Sequence, residues 1–244
     1  MPAQNSTIGP CRASTAAVNC RSMVKRRDNV AKIRGAILAA VGVLVAVVVG
    51  YGLYHALGLG GFDNGEAYIE LDAPDGTGDV EVVAYFSYVC PHCRSLERLL
   101  DGWERGLPEG VVLERVHVAY SESNRLYAKA HRALERHGAA EENRDRLFHA
   151  IHDRNRVFNT PGELADFVDG HGIDRATFLR TAGSPRIGRE VAAAERRFVA
   201  LGLTNVPNLV VDNKYIINMG AGRKQALDAT EDLVRKLAAE RTRD

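Results

Sequence analysis

An excess of charge of either sign is missing from this chain: its 244 residues carry 32 Lys and Arg against 31 Asp and Glu, a formal net charge of +1. The balance is uneven along the chain. Residues 1–62 hold seven basic side chains and a single acid, Asp28, and the rest of the chain holds 25 basic and 30 acidic residues. A mildly acidic body offers nothing for a phosphate backbone, so nucleic acid is excluded as a partner. Cysteine is also scarce. Four residues, at positions 11, 20, 90 and 93, are too few for a disulfide scaffold of this size. No second pair stands at finger-like spacing, so a zinc site would have to recruit histidines such as His117, His131 or His149. Neither a metal nor another cofactor is expected.

Charge is absent altogether from Gly35 to Phe62. Ala36–Tyr54 is long enough to cross a hydrocarbon core as a helix, and a soluble core helix rarely stays uncharged on every face for this length. A cleaved signal peptide competes with an anchor, but its apolar region would be shorter, and no clean Ala-x-Ala site follows. The basic residues precede the run and the next one after it is Arg94, which places the N-terminus in the cytoplasm and the rest of the chain outside. The expected organisation is a disordered basic segment over 1–34, with Met23 as a candidate true start, and a transmembrane signal anchor over 35–60. A Gly-rich tether over 58–65 follows.

Beyond it the periodicity alternates. Strands are expected at Tyr68–Leu71, Val80–Phe86 and Val111–Tyr120, with a helix from Pro91 to about Arg105 between the last two, a βαβ unit. Helical patterns then follow at Arg125–His137, Glu141–Arg154, Pro161–Asp169 behind a Thr160 cap, Asp174–Thr181 and Pro185–Leu201. Strands resume at Val206–Val211 and Lys214–Asn218 around an Asp212-Asn213 turn, and Lys224–Glu240 closes the chain as an amphipathic helix. The fold class is α/β with an inserted helical domain: residues 66–120 and 204–240 form one domain, and 121–203 the insertion.

The chemistry concentrates in Phe86-Ser87-Tyr88-Val89-Cys90-Pro91-His92-Cys93. A helix starting at Pro91 puts Cys90 at its N-cap, facing unpaired backbone N–H groups and the positive end of the helix dipole, with Cys93 one turn inside. Both features favour a thiolate at Cys90, the reactive form of cysteine. A lone Cys-x-x-Cys is ambiguous between redox and zinc, and the strand-to-helix setting favours redox.

These residues resemble the DsbA family of thiol-disulfide oxidoreductases: Phe86-Ser87 before Cys90-Pro91-His92-Cys93, and Val206-Pro207 with Val211–Asn218, match its two signature regions. The resemblance covers roughly residues 66–240 and implies a thioredoxin-like fold. It also implies roles. Cys90 would be the exposed nucleophile, Cys93 the buried resolving cysteine, and Pro91 and His92 the pair that tunes the redox poise. Val206 and a cis Pro207 would form the facing loop that pairs with substrate as an added strand. The activity implied is dithiol oxidation of reduced exported proteins at the periplasmic face of a bacterial inner membrane, with a DsbB-type quinone-linked reoxidant. A membrane-tethered reductase or isomerase, or a non-catalytic peptide-binding assembly factor, is the alternative. One position departs from the family: Ala84 stands where many members carry a buried glutamate, and Glu81, at an odd offset, points to the other sheet face.

Other residues carry blander readings. His149 and His152 are expected on a solvated or packed helix face rather than at a metal, and Arg186, Arg189, Arg196 and Arg197 on a solvated one. Trp103, Tyr85, Phe86 and Tyr88 are expected in the core or lining a groove.

Overall fold

The computed structural model of the chain describes residues 34–35, 37–50 and 67–242. Two compact units are separated near Asp63. In the first, residues 34–35 and 37–50 are helical, and apolar side chains such as Leu38 and Val47 are exposed. Among the described residues no helix is long and apolar enough to cross a membrane. Residues 51–60 of the expected anchor, the tether, Met23, Cys11 and Cys20 lie outside the described residues.

The second unit is built on a five-stranded mixed sheet in the order β1-β5-β4-β2-β3. The strands are β1 (Tyr68–Glu70), β2 (Val80–Phe86), β3 (Val111–His117), β4 (Asn208–Val211) and β5 (Tyr215–Ile217). β2 runs parallel to β3, as a βαβ unit requires, and antiparallel to β4. The helix between β2 and β3 is α1 (Pro91–Glu104). Five helices lie between β3 and β4: α2 (Glu122–Arg136), α3 (Ala140–His152), α4 (Pro161–Val168), α5 (Arg175–Ala182) and α6 (Pro185–Ala200). The last helix is α7 (Arg223–Arg241).

Alternation along β2 assigns its neighbours. Val80, Val82 and Ala84 pack with Leu96 and Leu100 of α1 and Leu227, Leu233 and Val234 of α7. Val83 and Tyr85 point the other way, onto Phe198 of α6. A third cluster joins Phe86, Tyr88 and Cys93 to the interiors of α2–α5, among them Leu134, Phe148 and Phe178. The dithiol segment thus sits where sheet and helical insertion meet.

Local chemistry sets the helix ends. Ser121, Thr160, Asp174 and Ser184 each accept the backbone N–H three residues on, closing the first turns of α2, α4, α5 and α6. Thr160→Ala is expected to lower stability by about 1 kcal/mol, read as a shift in the urea midpoint with an unchanged slope. α2 begins three residues before its expected start at Arg125, because Ser121 rather than the first apolar residue is the cap. β3 stops at His117, short of Tyr120, although Val118 still donates to the Phe86 carbonyl at 2.9 Å. β4 starts at Asn208, and Val206 and Pro207 belong to the loop before it. Asp212 and Asn213 adopt φ of 52° and 56°, the left-handed pair that the hairpin needs. Arg197, expected in solvent, is half-buried and pairs with Glu81 at 2.6 Å.

Candidate active site

β2 delivers the chain to the carboxyl edge of the sheet, and after the four residues Ser87–Cys90 α1 begins. Cys90 is its N-cap, in extended backbone geometry, and Pro91 takes the first helical position, where a missing N–H costs nothing. The Cys93 N–H donates to the Cys90 sulfur at 3.3 Å. Cys90 is half-buried and its thiol points at the Val206 carbonyl, 3.6 Å away, across the cis Val206–Pro207 bond. Cys93 is 2% exposed. Burial foremost, and the hydrogen bond it shares with Cys90, push the Cys93 thiol up from its ordinary value. Both cysteines are free thiols in this structure. The arrangement presents one reachable sulfur and one hidden sulfur on consecutive turns of a helix.

Of the residues singled out in the sequence, Cys90, Pro91, Cys93, Val206 and Pro207 are brought together here. His92 is exposed and lies beside Arg223 at the start of α7, whose Nη1 is 3.4 Å from its Nδ1. Periodicity could not find that contact, which joins residues 131 apart. Among the described residues no three His, Cys, Asp or Glu side chains converge as a metal site would require. His149 is half-exposed beside Asp153, and His152 donates through Nε2 to the Tyr88 carbonyl at 2.8 Å.

The loop before Cys90 is held from both sides. The Tyr88 N–H donates to His117 Nε2 at 3.0 Å, while the Tyr88 hydroxyl bonds His131 Nδ1 at 3.0 Å. Accepting at Nε2 fixes His117 as the Nδ1–H tautomer, and that buried Nδ1 has no partner among the described residues. Burial, with nearby His131 adding to it, holds His117 well below its ordinary value. The sign follows: below about pH 6.5 the unfolded chain takes a proton that the folded one refuses, so stability falls with pH by up to about 1.4 kcal/mol per unit. His117→Gln, which keeps an acceptor for Tyr88, is expected to flatten the dependence of the urea midpoint between pH 6.5 and 5. An unaltered slope would contradict this account.

Sequence reasoning also missed a buried charge cluster. On the α1 face of the sheet the register partner of Ala84 is Arg115, and its guanidinium is answered from the helix, by Glu97 at 2.5 Å. Arg144 of α3 places its Nε 2.8 Å from the same carboxylate, at an angle too poor for a hydrogen bond, and its Nη2 2.8 Å from Asp101. Glu97 is 2% exposed, and burial raises its carboxyl despite the two guanidiniums. It stands four residues after Cys93, on the same face of α1. That spacing was visible in the sequence, but only the fold shows Glu97 to be buried.

A strand feeding a dithiol at a helix start, opposite a cis-proline loop on a mixed sheet, defines a thioredoxin-like protein thiol-disulfide oxidoreductase, and this chain is one. Comparison narrows the class. A family model for the DSBA-like thioredoxin domain matches residues 104–232. The chain is 32% identical over 177 residues to the thiol:disulfide interchange protein DsbA of Pseudomonas aeruginosa, covering 70% of this chain and 84% of that one. It is 31% identical over 175 residues to the protein of the same name from Azotobacter vinelandii, covering 70% and 82%. The crystal structure of Pseudomonas aeruginosa DsbA superposes with a TM-score of 0.66 at 31% identity, covering 72% of this chain and 94% of that one. The chain belongs to the DsbA family.

Proposed function

We propose that this protein is a dithiol oxidase that introduces disulfides into exported proteins. One observation carries the reading. The Cys90 sulfur is reachable and receives the Cys93 N–H at the first turn of α1, whereas Cys93 is buried and holds its proton. In the oxidised form a substrate thiolate attacks the Cys90 sulfur, the Cys90–Cys93 bond breaks, and Cys93 leaves as a thiolate that takes up a proton. A second substrate thiolate then attacks the substrate sulfur of the mixed disulfide and Cys90 departs. The substrate loses two electrons and two protons, and the dithiol gains them. Val206 lies beside the Cys90 sulfur, where its backbone can pair with an extended substrate, and Pro91 and His92 occupy the turn that sets the environment of Cys90.

In a dithiol couple, charge on the attacking thiol stabilises the reduced form, and each unit by which a fold lowers such a thiol is worth about 1.4 kcal/mol, or about 30 mV for two electrons. The test is equilibrium with glutathione. An oxidase is expected to lie well above about −230 mV, and a potential near that of thioredoxin, about −270 mV, sinks the oxidase direction.

The reading extends to location. Seven basic residues before an uncharged apolar run support an uncleaved anchor over residues 35–60, with the N-terminus cytoplasmic and the enzyme periplasmic. Reoxidation then falls to a DsbB-type, quinone-linked membrane protein. Release of the full chain from membranes by alkaline carbonate would remove the anchor from this account.

A further inference from the structure

The dithiol reading leaves unexplained a cleft on the insertion side of Cys90. Val89, adjacent to Cys90 in the chain and 45% exposed, forms part of its wall. The cavity holds about 300 Å3. Tyr127 and Phe158, both buried, make its floor, and Asn124, Asn155 and Arg156 supply polar groups. Among the described residues no carboxylate lines it.

Arg156 sets its sign. The guanidinium lies over the Phe158 ring at 4.6 Å and the Phe167 ring at 5.0 Å, and among the described residues it makes no ion pair. Nearby carboxylates are engaged elsewhere: Asp153 takes a two-pronged contact from Arg94, and Glu163 accepts the Asn159 N–H at 2.8 Å. The loop carrying Arg156 is pinned by its own N–H to the Ala150 carbonyl at 2.9 Å, and by the Phe158 N–H to the Tyr127 hydroxyl at 3.2 Å. A planar cation stacked on two rings in a pinned loop is already oriented, so little rotamer entropy is lost when its free donors meet an anion. In the larger cavity, about 510 Å3, the Arg115 and Arg144 guanidiniums are already answered by Asp101 and Glu104.

We propose that this cleft is a substrate subsite, with Arg156 binding the carboxylate of an Asp or Glu two or three residues from the cysteine that reacts at Cys90. The inference rests on the dithiol reading. An extended segment advances about 3.3 Å per residue, and Val89, the chain neighbour of Cys90, stands in the cleft wall, so a side chain a few positions from the bound cysteine can enter the cleft. Arg156 then governs specificity: acidic neighbours are favoured, amides are neutral, and a Lys there meets a cation with no carboxylate to receive it.

The experiment uses the oxidised full chain and single-cysteine peptides that differ only in Glu, Gln or Lys two positions from the cysteine. Formation of the mixed disulfide is followed by acid quench and mass. The Glu peptide is expected to react about fivefold faster than the Gln peptide at low salt, the scale of one charge pair at a partly exposed site. High salt should shrink the ratio. Arg156→Gln should bring it to one, and Arg156→Lys should retain part of it, with thermal unfolding as the check on folding. A ratio of one in the unaltered protein, or the full ratio in Arg156→Gln, overturns the subsite. Dithiothreitol separates the two levels. If it reduces the unaltered protein normally while the peptide ratio is one, only the subsite falls, and if it finds no Cys90–Cys93 disulfide to reduce, the dithiol reading falls and takes the subsite with it.

Discussion

Cys90→Ser is expected to reduce dithiol oxidation to the uncatalysed background, because a hydroxyl cannot form the mixed disulfide on which the cycle depends. Cys93→Ser should fail differently. Its Cys90 thiol still exchanges with a disulfide, but the sulfur that would release the adduct, one turn along α1, is gone. A persistent Cys90 adduct should therefore accumulate with glutathione or substrate, visible as added mass that dithiothreitol removes. The asymmetry of the two cysteines makes the pair of variants informative. Cys93 is 2% exposed and cannot take over the attack, whereas Cys90 is reachable beside Val206. Activity surviving in Cys90→Ser would assign the chemistry elsewhere, and equal adduct formation by both variants would remove the division of roles.

The second large effect concerns stability. Glu97→Ala leaves the Arg115 and Arg144 side chains, 7% and 8% exposed, without their shared buried carboxylate. Breaking a buried pair by removing one partner typically costs about 3–5 kcal/mol, because the surviving charge stays desolvated. Asp101 and Glu104 still reach Arg115, at 3.3 and 2.8 Å, so a loss near the lower end, about 3 kcal/mol, is expected. Chemical denaturation of the reduced protein measures it directly. Glu97→Gln should cost less, since an acceptor remains. Asp228→Asn, which breaks only the exposed Lys224 pair, should leave the midpoint unchanged. A Glu97→Ala midpoint indistinguishable from the parent would mean that solvent reaches this cluster.

Both effects bear on Ala84. The strand position lacks a carboxylate, but the face it occupies does not lack charge, because Glu97 enters from α1 and meets the register partner of Ala84. Comparing strand positions alone marks a loss. The tertiary structure shows a carboxylate supplied from the helix, one turn beyond Cys93, with a second guanidinium contributed by the helical insertion.

Much of the fold was legible because its signals are local. Val80–Phe86 and the β2–β3 pairing follow from a β-branched run and a crossover helix, and Thr160 announces its helix by capping. The dithiol was legible for the same reason: two cysteines, a proline and a helix start lie within four residues. Ends where tertiary contacts outweigh pattern were misjudged, as at Tyr120, which leaves β3 to pack edge-on against Phe198, and at Arg197, drawn from solvent by Glu81. What the sequence alone determined was the Cys90–Cys93 pair and its setting between strand and helix, since those depend on spacings of a few residues. Only the tertiary structure decided which sulfur is hidden, which carbonyl faces the other, that Glu97 is buried with two arginines, and that Arg156, in the same cleft as Val89, has no counterion among the described residues. Burial and pairing between residues far apart in the chain are properties of the packed molecule, and no local pattern encodes them.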